Sequence, residues 1–379
     1  MPDTKARNPY LQNINRLVIK LGSNILTTDQ GLNVRVIRQL AMQVHQLLEK
    51  GIQITIVSSG AMAAGMRKLN LSDRPSEIPV KQAIAAIGQA GLIQEYEKAF
   101  EFFEHKVAQV LLTRTDLSNR TRYLNARNTI RALLAWNVTP IINENDTVAV
   151  EEIKFGDNDQ LSAMIALMLN ADLLVNLTDI DGLFDKDPRK HKDAQFIPMV
   201  KTVTRDLENC ASGIPGTLGT GGMLTKIKAA QKVTTAGIPM VIARASMDVL
   251  SQILDGQNVG TFFVPKNQKM KNRKCWIAFS KKIRGRIQID DGANHAVINK
   301  GTSLLPIGVI GVQGKFNIGD AISIETQSGQ ELGTGLTNYS SDDIQLIMRK
   351  KSHEIEHILG EKPYDEIIHR DNMVITRNN

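Results

Sequence analysis

Arg16-Leu17-Val18-Ile19-Lys20-Leu21-Gly22-Ser23 decides the fold. Its first six residues make a short, mostly apolar strand, and the strand ends in Gly22 and Ser23. Val36, Leu40, Val44 and Leu47 then recur at helical spacing, and Gly51 stops that helix. Residues 52–57 are rich in β-branched side chains and form the next strand, which ends in Ser58-Ser59-Gly60-Ala61 and leads into another helix. The alternation continues with helices over 81–103, 122–136, 159–169, 223–235 and 247–254. Strands are expected at 107–112, 138–142, 173–177 and 240–243. Strands separated by helices of roughly 10–15 residues mean βαβ units and a mostly parallel sheet. Several strands are apolar throughout, as a sheet covered on both faces requires. The fold class is α/β, a mostly parallel open sheet sandwiched by helices.

The pattern changes near Val264. Residues 265–274 are polar, basic and aperiodic, and read as a linker between a first domain (1–264) and a small β-rich domain (275–379). Short strands are expected at 283–289, 309–312, 321–325 and 331–336, with closing strands at 366–369 and 374–376. Helices fall near 293–300 and 341–350. Many short strands with glycine turns predict a small barrel or sandwich.

The 379 residues carry a formal net charge of +7. Residues 266–286 hold nine basic and no acidic residues, whereas 287–379 hold eight basic and thirteen acidic ones. The basicity is thus partly a local stripe, read first as a solvated linker plus one strand. Aromatics at 4% argue against a base-stacking surface over the whole chain. Two cysteines, Cys210 and Cys275, argue against a disulfide framework and a Cys-based zinc site. Apolar runs such as 164–169 fall far short of the ~20 residues of a membrane span. The polar start Met1-Pro2-Asp3-Thr4-Lys5 has no apolar signal core behind it. A soluble, cytoplasmic protein is expected.

In an open parallel sheet, ligands bind beyond the carboxyl ends of the strands. Five such ends are polar or glycine-rich here. They are Lys20-Leu21-Gly22-Ser23, Ser58-Ser59-Gly60, Asn143-Glu144-Asn145-Asp146, Thr178-Asp179-Ile180-Asp181-Gly182, and the loop 216–226. Each alone is an ordinary strand-to-helix turn; five on one rim outline a site. Gly216-Thr217-Leu218-Gly219-Thr220-Gly221-Gly222-Met223 runs straight into a helix. Glycines let the backbone approach a ligand, and the amides at a helix start favour phosphate. No GxxxxGK[ST] occurs, so the loop is not a Walker A motif. Lys226, one turn into that helix, and Lys20, at a strand end where an apolar residue is the rule, together suit a phosphate clamp.

Gly156-Asp157-Asn158-Asp159 opens another helix. Asp157 or Asn158 suits an N-cap, and Asp159 suits the first turn. With Asp146 nearby, the same residues suit a cationic amino group or the orientation of the two lysines. The seven histidines are scattered, and no Ser–His–Asp order stands out. His353-Glu354-Ile355-Glu356-His357 matches the HExxH pattern of zinc proteases on an apparent helix. It has no third ligand at a convincing spacing, and Ile355, Ile358 and Leu359 make a plain amphipathic stripe. No residue is assigned to a metal.

Taken in order, several motifs resemble those of the glutamate 5-kinase family within the amino-acid kinase superfamily. They are Ile19-Lys20-Leu21-Gly22-Ser23, Val57-Ser58-Ser59-Gly60-Ala61, Ile142-Asn143-Glu144-Asn145-Asp146, Phe155-Gly156-Asp157-Asn158-Asp159, Leu177-Thr178-Asp179 and Gly219-Thr220-Gly221-Gly222-Met223-Leu224-Thr225-Lys226. Leu224 stands in a variable slot that is often Ser. Leu304-Leu305-Pro306-Ile307-Gly308 and Ile368-His369-Arg370-Asp371 resemble the PUA domain that many bacterial members append. The resemblance implies the amino-acid kinase fold and ATP-dependent phosphorylation of the γ-carboxylate of L-glutamate, the first step of proline biosynthesis, with Mg²⁺. It implies that Lys20 and Lys226 stabilise the phosphoryl group and that Asp159 orients them. It places Ser59, Asp146 and Asn158 on glutamate. It places Lys20, Thr178, Asp179, Thr220, Gly221, Gly222, Met223, Leu224, Thr225 and Lys226 on ATP. It also implies feedback inhibition by proline and a homo-oligomer, a dimer or tetramer.

Two other readings compete. The same fold phosphorylates acetylglutamate, aspartate, carbamate or UMP; the Asn-Glu-Asn-Asp loop and the appended domain favour glutamate. An RNA-binding protein is the second, because PUA domains usually serve RNA. The basic stripe supports that weakly, and a phosphate-binding α/β domain with two lysines opposes it.

Overall fold

Side-chain alternation in the first strand sets the layers. Leu17, Ile19 and Leu21 of β1 (Arg16–Leu21) share one core with Ile37, Leu40 and Val44 of helix α1 (Val34–Glu49). Val18 and Lys20 therefore project from the opposite face. The computed structural model describes residues 6–28, 31–73, 75–149, 158–212, 222–267, 270, 272–279 and 283–375. The chain divides into two units, Met1–Lys269 and Met270–Asn379.

The first unit is built on an eight-stranded sheet. After β1 come β2 (Gln53–Val57), β3 (Lys106–Leu112), β4 (Val138–Glu144), β5 (Leu173–Thr178), β6 (Met199–Val200), β7 (Met240–Arg244) and β8 (Thr261–Phe263). Their spatial order is β6-β8-β7-β5-β1-β2-β4-β3. Every neighbouring pair is parallel except β7 with β8. The carboxyl ends of β1, β2, β4, β5 and β7 consequently share one rim. Register pairs Lys20 with Val57 on one side and with Asn176 on the other. Partners in register project from the same sheet face, so Lys20 and Asn176 point together.

Further helices of this unit are α2 (Ala61–Lys68), α3 (Ile78–Glu101), α4 (Arg120–Ala135), α5 (Asn158–Leu169) and α6 (Met223–Thr235). In α5, Asp159 and every residue from Ser162 to Leu169 are buried, which accounts for the apolar run 164–169: it is a helix enclosed on all sides. Helices α2 and α3 cross backbone against backbone. A Cβ at Gly65 would lie 1.9 Å from the Ile84 carbonyl oxygen, and one at Gly88 would lie 1.8 Å from that of Ala61. The N-terminal segment is pinned by Arg7, which is 1% exposed. Its guanidinium donates to the carbonyls of Pro198 (2.7 Å), Val259 (2.7 Å), Gly260 (2.8 Å) and Gln257 (3.1 Å).

The second unit holds a mixed five-stranded sheet. It comprises β9 (Ile283–Ile289), β10 (Val309–Gly314), β11 (Ala321–Thr326), β12 (Glu331–Leu336) and β13 (Met373–Ile375), in the order β10-β9-β11-β12-β13. Its core gathers Ile287, Ile322, Ile324, Ile344 and Ile347 among others. Helix α7 (Asn272–Phe279) begins inside the stretch read as a linker. Cys275, Trp276 and Ile277 on it are buried, so three consecutive apolar residues order a segment whose composition is otherwise basic. Burial pushes the Cys275 thiol up to about 12, which makes it inert. The closing strand expected at 366–369 is a single bridge between Leu304 and Ile368. The short strand β8 was not expected; three residues leave no alternation to read. Among the described residues no helix is long and apolar enough to cross a membrane.

Candidate active site

Asp159 is the hub of the carboxyl-end rim. It stands in the first turn of α5 and is fully buried. Lys20, from the end of β1, reaches its Oδ1 at 2.5 Å, and Lys226, from the first turn of α6, reaches its Oδ2 at 3.1 Å. Thr225 Oγ1 donates to Oδ2 at 2.7 Å, and Asn176 Nδ2 donates to Oδ1 at 2.8 Å. Lys20 and Lys226 are 5% and 7% exposed. Burial alone would raise the Asp159 carboxyl. The Lys20 and Lys226 ammonium groups, with hydrogen bonds from Lys20 and Thr225, reverse that and hold it far below the usual carboxylate range. The result is one ionised carboxylate held between two lysine ammonium groups at the mouth of a parallel sheet.

Helix α6 supplies more than a lysine. Its N-cap is Gly222, extended and with no side chain of its own to cap the amides of the first turn. Met223 is buried, while Leu224 and Thr225 are half-buried. Gln160 on α5 donates to the Thr225 carbonyl at 3.1 Å, which locks the start of α6 to the start of α5. Thr178, at the end of β5, donates to Asp179 Oδ1 at 3.0 Å, and Asn24 donates to Oδ2 at 3.1 Å. Burial raises Asp179, but the hydrogen bonds from Asn24, Thr178 and its own backbone, together with the Lys226 charge, outweigh it and leave the carboxyl below its ordinary value. Beyond Asp179 a small pocket is lined by Ile180, Gly182, Phe184, Pro188, Arg189 and Met223.

The other half of the rim is a neutral amide network. Asn158 Nδ2 donates to the Ser58 carbonyl (2.7 Å), Ser59 Oγ (2.9 Å) and Asn143 Oδ1 (3.0 Å). Its side chain therefore ties the loop after β2 to the end of β4. Asn143 also donates to Gln89 Oε1 at 2.7 Å and accepts from the Glu144 amide at 2.9 Å. Ser58 Oγ lies 2.9 Å from the Tyr96 hydroxyl. Gln89 and Tyr96 both belong to α3, so one helix orients two loops. Asp146 is half-buried in the turn after β4, on the same rim.

The structure thus assembles Lys20, Asp159, Thr225 and Lys226 in one contact cluster, and Ser59 with Asn158 in a second. Gly156, Asp157, Thr220 and Gly221 lie outside the described residues. Asn176 and Gln89 belong to the same two clusters but do not stand out in the sequence, whereas Ser58 and Asn143 lie in strand-end loops quoted above without a role of their own. For Asn176 the signal was present: an amide inside the otherwise apolar strand Leu-Leu-Val-Asn-Leu-Thr repeats the anomaly that drew attention to Lys20. Gln89 gave no such signal, since a polar residue on a long helix is unremarkable. The HExxH sequence is broken between a 3₁₀ turn, Ser352–Glu354, and a five-residue helix, Ile355–Leu359. Glu354 there accepts from the Lys351 amide at 2.7 Å.

Residues 15–244 match the Amino acid kinase family, and residues 285–359 match the PUA domain. Glutamate 5-kinase of Caldanaerobacter subterraneus subsp. tengcongensis is 49% identical over 95% of this chain and 97% of its own. Glutamate 5-kinase of Geobacter sulfurreducens is 49% identical over 97% of this chain and 100% of its own. Among solved structures, UMP kinase from Ureaplasma parvum aligns with 66% of this chain and 99% of its own at a TM-score of 0.47 and 15% identity. With identity at that level running through both units and a family match spanning the whole Lys20–Asp159–Lys226 rim, the chain belongs to the glutamate 5-kinases of the amino acid kinase family.

Proposed function

We propose that this chain transfers the γ-phosphoryl group of ATP to the γ-carboxylate of L-glutamate, giving L-glutamyl 5-phosphate and ADP, the first step of proline biosynthesis. The observation that carries this reading is the buried Asp159 holding two ammonium groups at one point on the rim. A carboxylate is already a nucleophile at neutral pH, so no general base is required. What must be overcome is repulsion between a carboxylate and a polyphosphate. Charge neutralisation and positioning supply most of the catalysis in phosphoryl transfer.

In the reaction, a γ-carboxylate oxygen bonds to the γ-phosphorus while the bond to the β–γ bridging oxygen breaks and that electron pair leaves with ADP. Lys20 and Lys226 stabilise charge on the transferring group from opposite sides. Asp159 positions them and is not itself a proton carrier, because its carboxyl is held ionised. The α6 amides and the segment from Thr220 to Lys226 cradle the phosphates. Thr178 and Asp179 are assigned to the nucleotide. Ser59, Asn158 and Asp146 take glutamate, Asp146 through the α-ammonium. Mg²⁺ would come with ATP and would neutralise part of the phosphate charge; among the described residues no group of three His, Cys, Asp or Glu side chains placed to hold a metal ion lies at this rim.

Proline is expected to inhibit by competing near the glutamate loops, and the enzyme is expected to be a cytoplasmic homo-oligomer, a dimer or tetramer. The second unit is expected to bind RNA at most weakly, through its basic entry stripe. The deciding test is ADP release on mixing the protein with Mg-ATP and L-glutamate, alongside aspartate, acetylglutamate and UMP as acceptors. Turnover confined to glutamate supports the reading; preference for another acceptor overturns it. A parallel RNA-binding titration at rising salt tests the second unit.

A further inference from the structure

On the opposite rim, where the strands begin, two of the scattered histidines come together. His45 lies in the last turn of α1, and Glu49 follows it by four residues, on the same helix face. His105 is the residue before β3, at the end of the turn that leaves α3. His45 Nδ1 and His105 Nε2 are 2.9 Å apart. The ligand atoms of His45, Glu49 and His105 all lie within 4.8 Å of one another. The sequence separates the two histidines by sixty residues, so no local spacing motif announces them.

We propose that His45, Glu49 and His105 form a binding site for one divalent transition-metal ion of the zinc class, which clasps α1 to the turn between α3 and β3. Two nitrogen ligands about 2.05 Å from a metal stand roughly 2.9 Å apart at a right angle and roughly 3.3 Å apart in a tetrahedron. The observed nitrogen separation sits at that scale. Two imidazoles and one carboxylate select zinc, cobalt or nickel over magnesium and calcium, which take all-oxygen shells. The rings are held in place: Phe103 stacks on His45 with centroids 4.9 Å apart and planes 18° apart. The His105 amide donates to the Phe100 carbonyl at 3.2 Å. Glu49 is exposed and swings in with little cost, leaving the remaining coordination position to water.

The site lies at the amino ends of the strands, and Lys20 and Asp159 at the carboxyl ends, so the ion has a structural and not a chemical role. A hydrogen bond shared by the two rings is the competing explanation. The test uses the full chain, stripped with EDTA, dialysed, and titrated with CoCl₂ and ZnCl₂ without nucleotide. One equivalent of Co²⁺ with a visible ligand-field spectrum is expected, together with a rise in melting temperature on adding Zn²⁺. Glu49→Gln is a surface change that leaves the fold intact; it should weaken affinity by at least about tenfold. His105→Ala should abolish both the spectrum and the melting shift. Glutamate-dependent ADP release should stay at the wild-type level in both variants. Binding of the same stoichiometry and spectrum in wild type and His105→Ala would place the metal elsewhere and overturn the proposal. So would the lack of any Co²⁺ spectrum in wild type, which would leave only the shared hydrogen bond.

Discussion

Replacing Asp159 by Asn removes one charge and no volume, and the consequences can be worked from the cluster. Asp159 accepts from four donors and is 0% exposed, and the two ammonium groups it pairs with are almost as deeply buried. At an effective dielectric of about 20, each contact is attractive by roughly 5–7 kcal/mol before desolvation. Desolvating three ions cancels much of this. Removing the anion alone leaves two buried cations facing each other, which costs about 3–5 kcal/mol of stability. The sign with pH follows from the depressed carboxyl. A carboxyl held below its unfolded value contributes stability above that unfolded value, near 3.9, and loses it only as pH falls through the folded one. The difference between wild type and Asp159→Asn should therefore be flat from about pH 5 to 8 and narrow below about pH 4. Scanning calorimetry of both proteins across that range measures it. The double variant Asp159→Asn/Lys226→Met should lose less than the sum of the single changes, because it also removes one orphaned cation. Turnover of Asp159→Asn should fall about a hundredfold, since lysines displaced by an ångström no longer meet the transferring group. An Asn variant within about 0.5 kcal/mol of wild type at pH 7 would refute the reasoning, as that is the scatter of a neutral surface change.

Lys226→Ala should lower kcat by about 10²–10³ with a smaller change in the KM for ATP; near-normal kcat with only a raised KM would remove its catalytic role. Asp146→Ala should raise the KM for glutamate by the equivalent of about 2–5 kcal/mol and weaken proline inhibition; a changed KM for ATP alone would mean the loop serves the other substrate. A chain ending near Pro265 should keep glutamate-dependent turnover, measured after circular dichroism shows it folded; loss of activity in a folded, correctly assembled truncation would mean that the second unit completes the site. Gly182 has φ +152, and a Cβ there would lie 2.6 Å from Thr261 Oγ1 and 2.9 Å from the Thr261 amide nitrogen, so Gly182→Ala should cost about 1–3 kcal/mol in thermal unfolding.

Sequence legibility tracked how local each signal was. β1, β9 and β12 and helix α6 have the bounds their patterns predict, because period and punctuation sit within one element. The two lysines and Asp159 were legible because a charge at a strand end or helix start contradicts its surroundings. The amide network was not. Gln89, Ser58 and Asn143 acquire meaning only when α3, β2 and β4 meet, across separations that no spacing rule spans. The same holds for His45 and His105. Helix α7 escaped because its basic composition masked three buried apolar residues.

The glycine crossing of α2 and α3 bears on how the substrate loops can move. Replacing a helical glycine with alanine ordinarily gains about 1 kcal/mol, yet here either exchange would wedge the two helices apart against a peptide carbonyl. Where backbone meets backbone at Gly65 and Gly88, rotamer changes cannot make room for the pair to slide. Helix α2 begins directly after the Ser58-Ser59-Gly60 turn, and α3 carries the Gln89 and Tyr96 groups that grip Asn143 and Ser58. The side of the mouth formed by Ser59 and Asn158 is thus geared: opening it means rocking both helices as one lever. Hydrogen exchange of the amides around Gly65 and Gly88 should accordingly slow together when an acceptor amino acid is bound, as a single cooperative unit.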